Sequence, residues 1–194
     1  MLARYRSSYQ RLFLGLGALM ARTRIPPNGF TLLSLIPAFL AGYLYYTGDI
    51  IGGFFLVLVT ALFDVIDGSV ARATGKTSVY GKVLDHCIDR YAEFLLIGGI
   101  ALGPLASPLA GFFAISGMVM ASYVRSKAES EGAKNVDMGL MDRAEKLILV
   151  LAGSLIALQY ADALEYVLFI VGALSHVTVM QRLVFAKRQL EVKI

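Results

Sequence analysis

"IIGGFFLVLVTALFDVIDGSVARATGKTSVYGKVLDHCIDRYAEFLLIGGIALG", residues 50–103, decides how the chain folds. Its two ends are apolar runs, yet between them stand Asp64, Asp67, Asp85 and Asp89. A carboxylate placed among hydrocarbon is costly unless something offsets its charge, so four of them imply a function.

The rest of the chain shares the apolar character. With 57% hydrophobic and 16% charged residues and a mean hydropathy of +0.68, it is too apolar for an ordinary soluble domain. Weakly charged windows recur near 28–47, 50–71, 81–102, 105–126, 142–160 and 164–186. Each approaches the ~20 residues that a membrane-spanning helix requires. The expected fold is therefore all-α: a polytopic membrane protein with six transmembrane helices over 28–186, in one domain covering 1–194. Residues 1–25, containing "YQRLFLGLGALMAR", have an apolar run too short to span and arginines on both sides. They are read as an interfacial amphipathic helix that Pro26 and Pro27 end.

All 18 lysines and arginines fall at the two termini or around alternate connections. The connections around "TGDI", "GPLASP" and "QYADALE" hold none. Basic residues near span ends stay cytoplasmic, so both termini and the acidic cluster are expected on that side of a cell membrane. The net charge of +4 is thus a topology signal; no basic and aromatic stripe suggests nucleic-acid binding. A single cysteine, Cys87, excludes an intrachain disulfide.

Helical periodicity sorts the acids. Asp64, Asp67, Gly68 and Ala71 lie on one helix face, and Gly81, Asp85 and Asp89 on one face of the next. From Ile50 to Asp64, and from Asp89 to Leu102, is roughly 20 Å of helix at 1.5 Å per residue, so antiparallel neighbours bring the four carboxylates to one depth. Such a cluster needs cations. Mg²⁺ or Mn²⁺, hard ions that prefer oxygen ligands, suit it, and two ions balance four carboxylates. A two-ion site is the usual apparatus for displacement at phosphorus. Small residues beside the acids leave room for a ligand, although Gly68, Ala71 and Gly81 also serve close helix packing. His86 and Cys87 are rotated about 100° and 200° from Asp85 and are read not as metal ligands but as packing residues or as supports behind the ligands. Glu93 continues the acidic series either as a supporting acid or as a polar contact between helices, while Asp49, Asp162 and Glu165 are expected at the opposite surface, solvated.

The complete pattern D-x2-D-G-x2-A-R-x8-G-x3-D-x3-D resembles the signature of the CDP-alcohol phosphotransferase family. That resemblance implies a membrane-embedded enzyme that moves a phosphatidyl-type group from a CDP-linked lipid to an alcohol and releases CMP. It implies Asp64, Asp67, Asp85 and Asp89 as ligands of two Mg²⁺ or Mn²⁺ ions, with Asp89 also the general base. It places Gly68, Ala71, Arg72 and Gly81, with Asp67, in the CDP-lipid pocket, and "PNGFT" adds Asn28 and Thr31.

"ASYVRSKAES", "GLMDRAEKL" and "TVMQRL" resemble the branch that makes phosphatidylinositol phosphate or its archaeal ether-lipid analogue. Arg125, Lys127, Arg143, Lys146 and Arg182 are then expected to bind the phosphate of inositol 1-phosphate. The family's usual order of lysine and arginine is exchanged in "RSK", and alanine replaces proline in "DRAEK". Asp142 and Glu145 also fit a helix-start capping pair. Glycerol 3-phosphate is the alternative acceptor, followed by serine or free inositol. The donor is CDP-diacylglycerol or CDP-archaeol, and the resemblance suggests a homodimer. A divalent-cation transporter is the rival from another class, but it predicts acids spread along a route, whereas these crowd into two consecutive helices.

Overall fold

A computed structural model describes residues 15, 19–23 and 25–191. They form helices throughout: α1 (Pro27–Leu33), α2 (Leu35–Tyr46), α3 (Ile50–Ala73), α4 (Val79–Leu102), α5 (Pro108–Ser130), α6 (Arg143–Ala157) and α7 (Ala163–Glu191). The chain divides into two compact units, residues 1–99 and 100–194. The interfacial helix expected over 1–25 lies largely outside the described residues.

Among the described residues, four segments are long and apolar enough to cross a membrane: Pro27–Tyr46, Ile50–Ala73, Pro108–Ser130 and Ala163–Glu191. The other two expected spans are helical but do not qualify. α4 carries Lys82, Asp85, Asp89, Arg90 and Glu93 within its length. α6 has only 15 residues, roughly 22 Å at 1.5 Å per residue. Large apolar side chains such as Phe39, Phe55, Phe112 and Ile170 stand exposed along the spans, as a hydrocarbon solvent permits. This is a multi-pass membrane protein.

In the first unit, α1 and α2 make one span interrupted at Ser34. The cause is Pro37, which has no N–H to give to Leu33 and whose ring crowds that carbonyl. Ser34 is buried and donates its hydroxyl to the Thr31 carbonyl at 2.6 Å. The turn into α3 uses Gly48 at φ 86°, and Asp49 caps α3 by accepting from the Gly52 amide at 2.9 Å. Tyr45 is fully buried; a Cβ on Gly53 would sit 2.8 Å from its ring. α2 and α4 approach through glycine: a Cβ on Gly42 would overlap the Leu95 carbonyl, and one on Gly99 would overlap the Gly42 backbone. Such contacts replace the hydrophobic effect as the source of helix association in lipid.

In the second unit, Pro108 begins α5 and Ser107 caps it, its hydroxyl accepting from the Ala110 amide at 3.3 Å. Glu165, in the first turn of α7, accepts from the Ser107 amide at 3.0 Å and from its hydroxyl at 2.9 Å. The expectation of a solvated Glu165 is corrected: it ties the start of α5 to α7. Gly117 of α5 meets the Gly172 carbonyl of α7, where an added Cβ would lie 3.0 Å away. Leu164, Leu168 and Val171 fill the interior beside this crossing.

Candidate functional site

α3 and α4 hold the acids because their apolar stretches fix where each helix runs and the motif spacing fixes which side chains share a face. One carboxylate oxygen from each of Asp64, Asp67 and Asp85 lies within 4.8 Å of the others. Asp85, His86 and Asp89 form a second group within the same limit, so Asp85 belongs to both. Asp67 and Asp89 are buried, and Asp64 and Asp85 half-buried.

Sequence periodicity sets His86 apart from the acids; the structure brings one of its ring nitrogens to Asp85 and Asp89. The 100° turn between successive Cα atoms is real, but an imidazole extends from its backbone on two rotatable bonds. Cys87 is exposed and belongs to neither group. Glu93 is buried and forms an ion pair with Arg90 on its own helix.

Thr31 acts on the acids directly. Its hydroxyl lies 2.7 Å from Asp67 Oδ2 and 3.2 Å from the Pro27 carbonyl, and its single hydrogen favours the shorter, charged partner. Arg72 lies across Gly68, where a Cβ would come 3.2 Å from Nη1, and Arg72 Nη2 donates to Ser69 Oγ at 3.2 Å. Gly81 opens α4 close to Asn28: a Cβ there would meet Asn28 Oδ1 at 3.1 Å and Ser78 Oγ at 3.0 Å. Ser78 in turn accepts from the Gly81 amide at 2.9 Å. Ala71, half-buried, follows one turn after Asp67 and Gly68. Asn28, Thr31, Asp67, Gly68, Arg72 and Gly81 therefore stand in two adjoining groups in the first unit.

The carboxylate donors fit a hard divalent ion. With bonds of about 2.1 Å, octahedral ligands stand ~3 Å apart in cis positions and ~4 Å in trans. A spread of up to 4.8 Å needs only a small inward rotation of side chains. All three ligands in the first group are oxygen donors, the set that Mg²⁺ and Mn²⁺ take.

The five basic residues of the second unit have distinct surroundings. Arg182 is buried: Nη1 donates to the Ala121 carbonyl at 2.8 Å, Nε to the Met138 carbonyl at 3.0 Å, and Nη2 to Asp142 Oδ1 at 3.3 Å. It thus joins α5, the connecting segment and the cap of α6. Asp142 and Glu145 form the capping box that the sequence allows, with the Asp142 amide donating to Glu145 at 3.2 Å. Arg143 and Lys146 follow in the first turns of α6, and Lys146 is buried. Arg182, Arg143 and Lys146 are thereby gathered around one helix start. Arg125 and Lys127 instead pair with Glu129 at 3.2 Å and with Glu131, each one turn further along α5. The Lys127 hydrogen bond holds the Glu131 carboxyl below its ordinary range.

Sequence reading assigned Thr31 to the nucleotide and did not assign it to Asp67; no local pattern links residues 36 positions apart. It also missed the bonds made by Arg182, whose partners come from α5, the segment before α6 and the α6 cap.

Comparison with known proteins adds three findings. The family model for CDP-alcohol phosphatidyltransferase matches residues 24–188. The chain is 33% identical to an archaetidylinositol phosphate synthase of Pyrococcus horikoshii, over 99% of this chain and 100% of the relative. It is 30% identical to a phosphatidylinositol phosphate synthase of Streptomyces avermitilis, over 97% and 84% respectively. Crystal structures of the Mycobacterium tuberculosis phosphatidylinositol phosphate synthase share the fold. The form with CDP-DAG bound matches with a TM-score of 0.82 at 24% identity, covering 91% of this chain and 94% of that one. The form in complex with manganese and citrate gives 0.80 at 25% identity, covering 89% and 87%.

Proposed function

Because the chain belongs to the CDP-alcohol phosphatidyltransferase family and is a divalent-metal-dependent transferase of that kind, we propose that inositol 1-phosphate is its acceptor. In this reading it transfers the phosphatidyl-type group, diacyl or archaeol, from a CDP-linked lipid to L-myo-inositol 1-phosphate and releases CMP. The observation that carries the reading is the convergence of Asp64, Asp67 and Asp85 within a family motif of fixed spacing. The inositol phosphate synthases among the relatives support the acceptor.

Mg²⁺ or Mn²⁺, two ions in this proposal, would be held by Asp64, Asp67, Asp85 and Asp89. When bound, they would supply the positive charge that offsets a diphosphate and stabilises charge on the attacking and leaving oxygens. Thr31 keeps the Asp67 carboxylate turned into the cluster. Arg72, lying across Gly68, offers its guanidinium to the diphosphate, while the bare backbone at Gly68 and Gly81, with Ala71 and Asn28, admits the nucleotide end. An oxygen–phosphorus bond forms to the acceptor hydroxyl as the bond between that phosphorus and the CMP oxygen breaks. Asp89 takes the hydroxyl proton late, because an ordinary carboxylate is too weak a base to remove it beforehand.

The acceptor's phosphate is assigned to Arg143, Lys146 and Arg182, the last of which also holds the start of α6 in place. Arg125 and Lys127 join them by exchanging their glutamate partners for the phosphate. All six expected spans cross the membrane in this proposal, α4 and α6 included, within one domain over 1–194. Both termini and the site face the cytoplasm, and the chain works as a homodimer.

The test incubates purified protein with CDP-diacylglycerol or CDP-archaeol, Mg²⁺ or Mn²⁺, and each acceptor, and measures CMP and lipid product. CMP release with inositol 1-phosphate is expected. Release with glycerol 3-phosphate but none with inositol 1-phosphate overturns the acceptor assignment.

A further inference from the structure

The two groups of potential ligands that share Asp85 are chemically unlike. Asp64, Asp67 and Asp85 offer only carboxylate oxygens, whereas Asp85, His86 and Asp89 offer two carboxylates and an imidazole nitrogen. His86 is exposed and makes no hydrogen bond or ion pair among the described residues, so its ring is not committed elsewhere. Of the two basic side chains one turn from His86, Arg90 is paired with Glu93 and Lys82 is exposed. Asp85 and Asp89 are one turn apart, and His86 and Asp89 are i, i+3 neighbours, so all three reach one point beside α4 without bending the helix.

We propose that His86 is a ligand of the second ion position and makes that position prefer Mn²⁺ over Mg²⁺, while the all-carboxylate position takes either ion. The inference rests on the two-ion reading given above and adds to it a nitrogen donor. Its chemistry is general: Mg²⁺ demands oxygen ligands and gives up water reluctantly, whereas first-row transition ions accept imidazole and bind N/O sites more tightly along the series. The carboxylates of Asp85 and Asp89 provide attraction for any divalent ion, and the nitrogen provides the discrimination.

The experiment reads the ion itself rather than turnover. Purified protein is loaded with Mn²⁺, the bound ions are counted by equilibrium titration, and electron spin-echo envelope modulation is recorded for ¹⁴N directly bound to manganese. The chain has two histidines. The other, His176, sits in the second unit with its ring 5.0 Å from Phe113 and 3.4 Å from the Ser116 hydroxyl. Wild type and His176→Asn should both show the ¹⁴N coupling. His86→Ala should lose it and still bind two ions. In competition, the tighter Mn²⁺ of wild type should need several-fold more Mg²⁺ for release than the other, because an imidazole donor favours the first-row transition ion. In His86→Ala the two should leave together.

Two bound Mn²⁺ ions with no ¹⁴N coupling in wild type, or coupling that survives His86→Ala, overturn the inference while leaving the carboxylate site standing. Binding of no Mn²⁺ at all refutes the two-ion reading and the inference with it. Because His86 is exposed, its replacement leaves packing intact; unchanged thermal unfolding of ion-free His86→Ala checks this.

Discussion

Replacing Thr31 with valine keeps the shape of a buried side chain and deletes one hydroxyl. That hydroxyl lies 2.7 Å from Asp67 Oδ2, in surroundings where Thr31 is 5% and Asp67 8% exposed, so bulk water does not take its place. A hydrogen bond to a charged group contributes about 1.5–3 kcal/mol. If the bond serves to aim Asp67, the loss appears in ion affinity: removing a partner that orients a metal ligand costs about 10–100-fold. The measurement is a Mn²⁺ titration followed by electron paramagnetic resonance, where free aqueous Mn²⁺ gives the signal and bound Mn²⁺ does not. Thr31→Val should weaken binding by that factor, and Thr31→Ser, which restores the hydroxyl, should recover most of it. Thermal unfolding without added ion separates this effect from a general loss of α1 packing. Wild-type Mn²⁺ affinity in Thr31→Val, alongside a large loss in Asp67→Asn, refutes the reasoning and leaves Asp67 positioned by its own helix.

Other expectations follow from the same geometry. Asp89→Asn should fold normally and lose at least about 100-fold in turnover, the scale of general-base catalysis, as read by CMP release. Gly99→Leu should abolish folded yield in detergent chromatography, because its side chain would overlap the Gly42 backbone; Gly98→Leu, whose Cβ has no neighbour within 4 Å, should be tolerated. Arg182→Met should destabilise the second unit by about 1–2 kcal/mol in thermal or denaturant unfolding, since it removes the donors to the Ala121 and Met138 carbonyls, while the half-exposed Asp142 keeps its place in the capping box. Arg182→Lys should not rescue it, because an ammonium lacks the planar fork that reaches three acceptors. Glu165→Gln should cost about 1 kcal/mol, one neutral bond replacing a charged one at Ser107.

Much of this architecture is written locally. Each of the six weakly charged windows holds helix, α1 with α2 and then α3 to α7, although only four of these segments are long and apolar enough to cross a membrane among the described residues. The facing of Asp64 with Asp67, and of Asp85 with Asp89, follows from 3.6 residues per turn. What stayed hidden depends on distant partners or on side-chain torsion. Pro37 was visible, but a proline inside a span marks a break only when its neighbours are known to be helical. Thr31 and Asp67 meet because α1 packs on α3, and no periodicity encodes that. Wheel geometry placed His86 off the acidic face, since it tracks Cβ directions and ignores where a ring can swing. The cluster of arginines and lysines read as phosphate binders was compositionally clear. The bonds of Arg182 to the Ala121 and Met138 carbonyls and the pairs of Arg125 with Glu129 and Lys127 with Glu131 are what that composition left unread.

The glycine crossing of α2 and α4 has a mechanical meaning. Two backbones in direct contact have no side-chain layer to compress or slide, so within the first unit they act as a single strut. The first span of that unit lacks one rung of its hydrogen-bond ladder, at Pro37, while the backbone at Ser34 stays helical and bonded on both sides. Since α1 bears Thr31, any shift of α1 against α3 is felt first at the hydroxyl that holds Asp67.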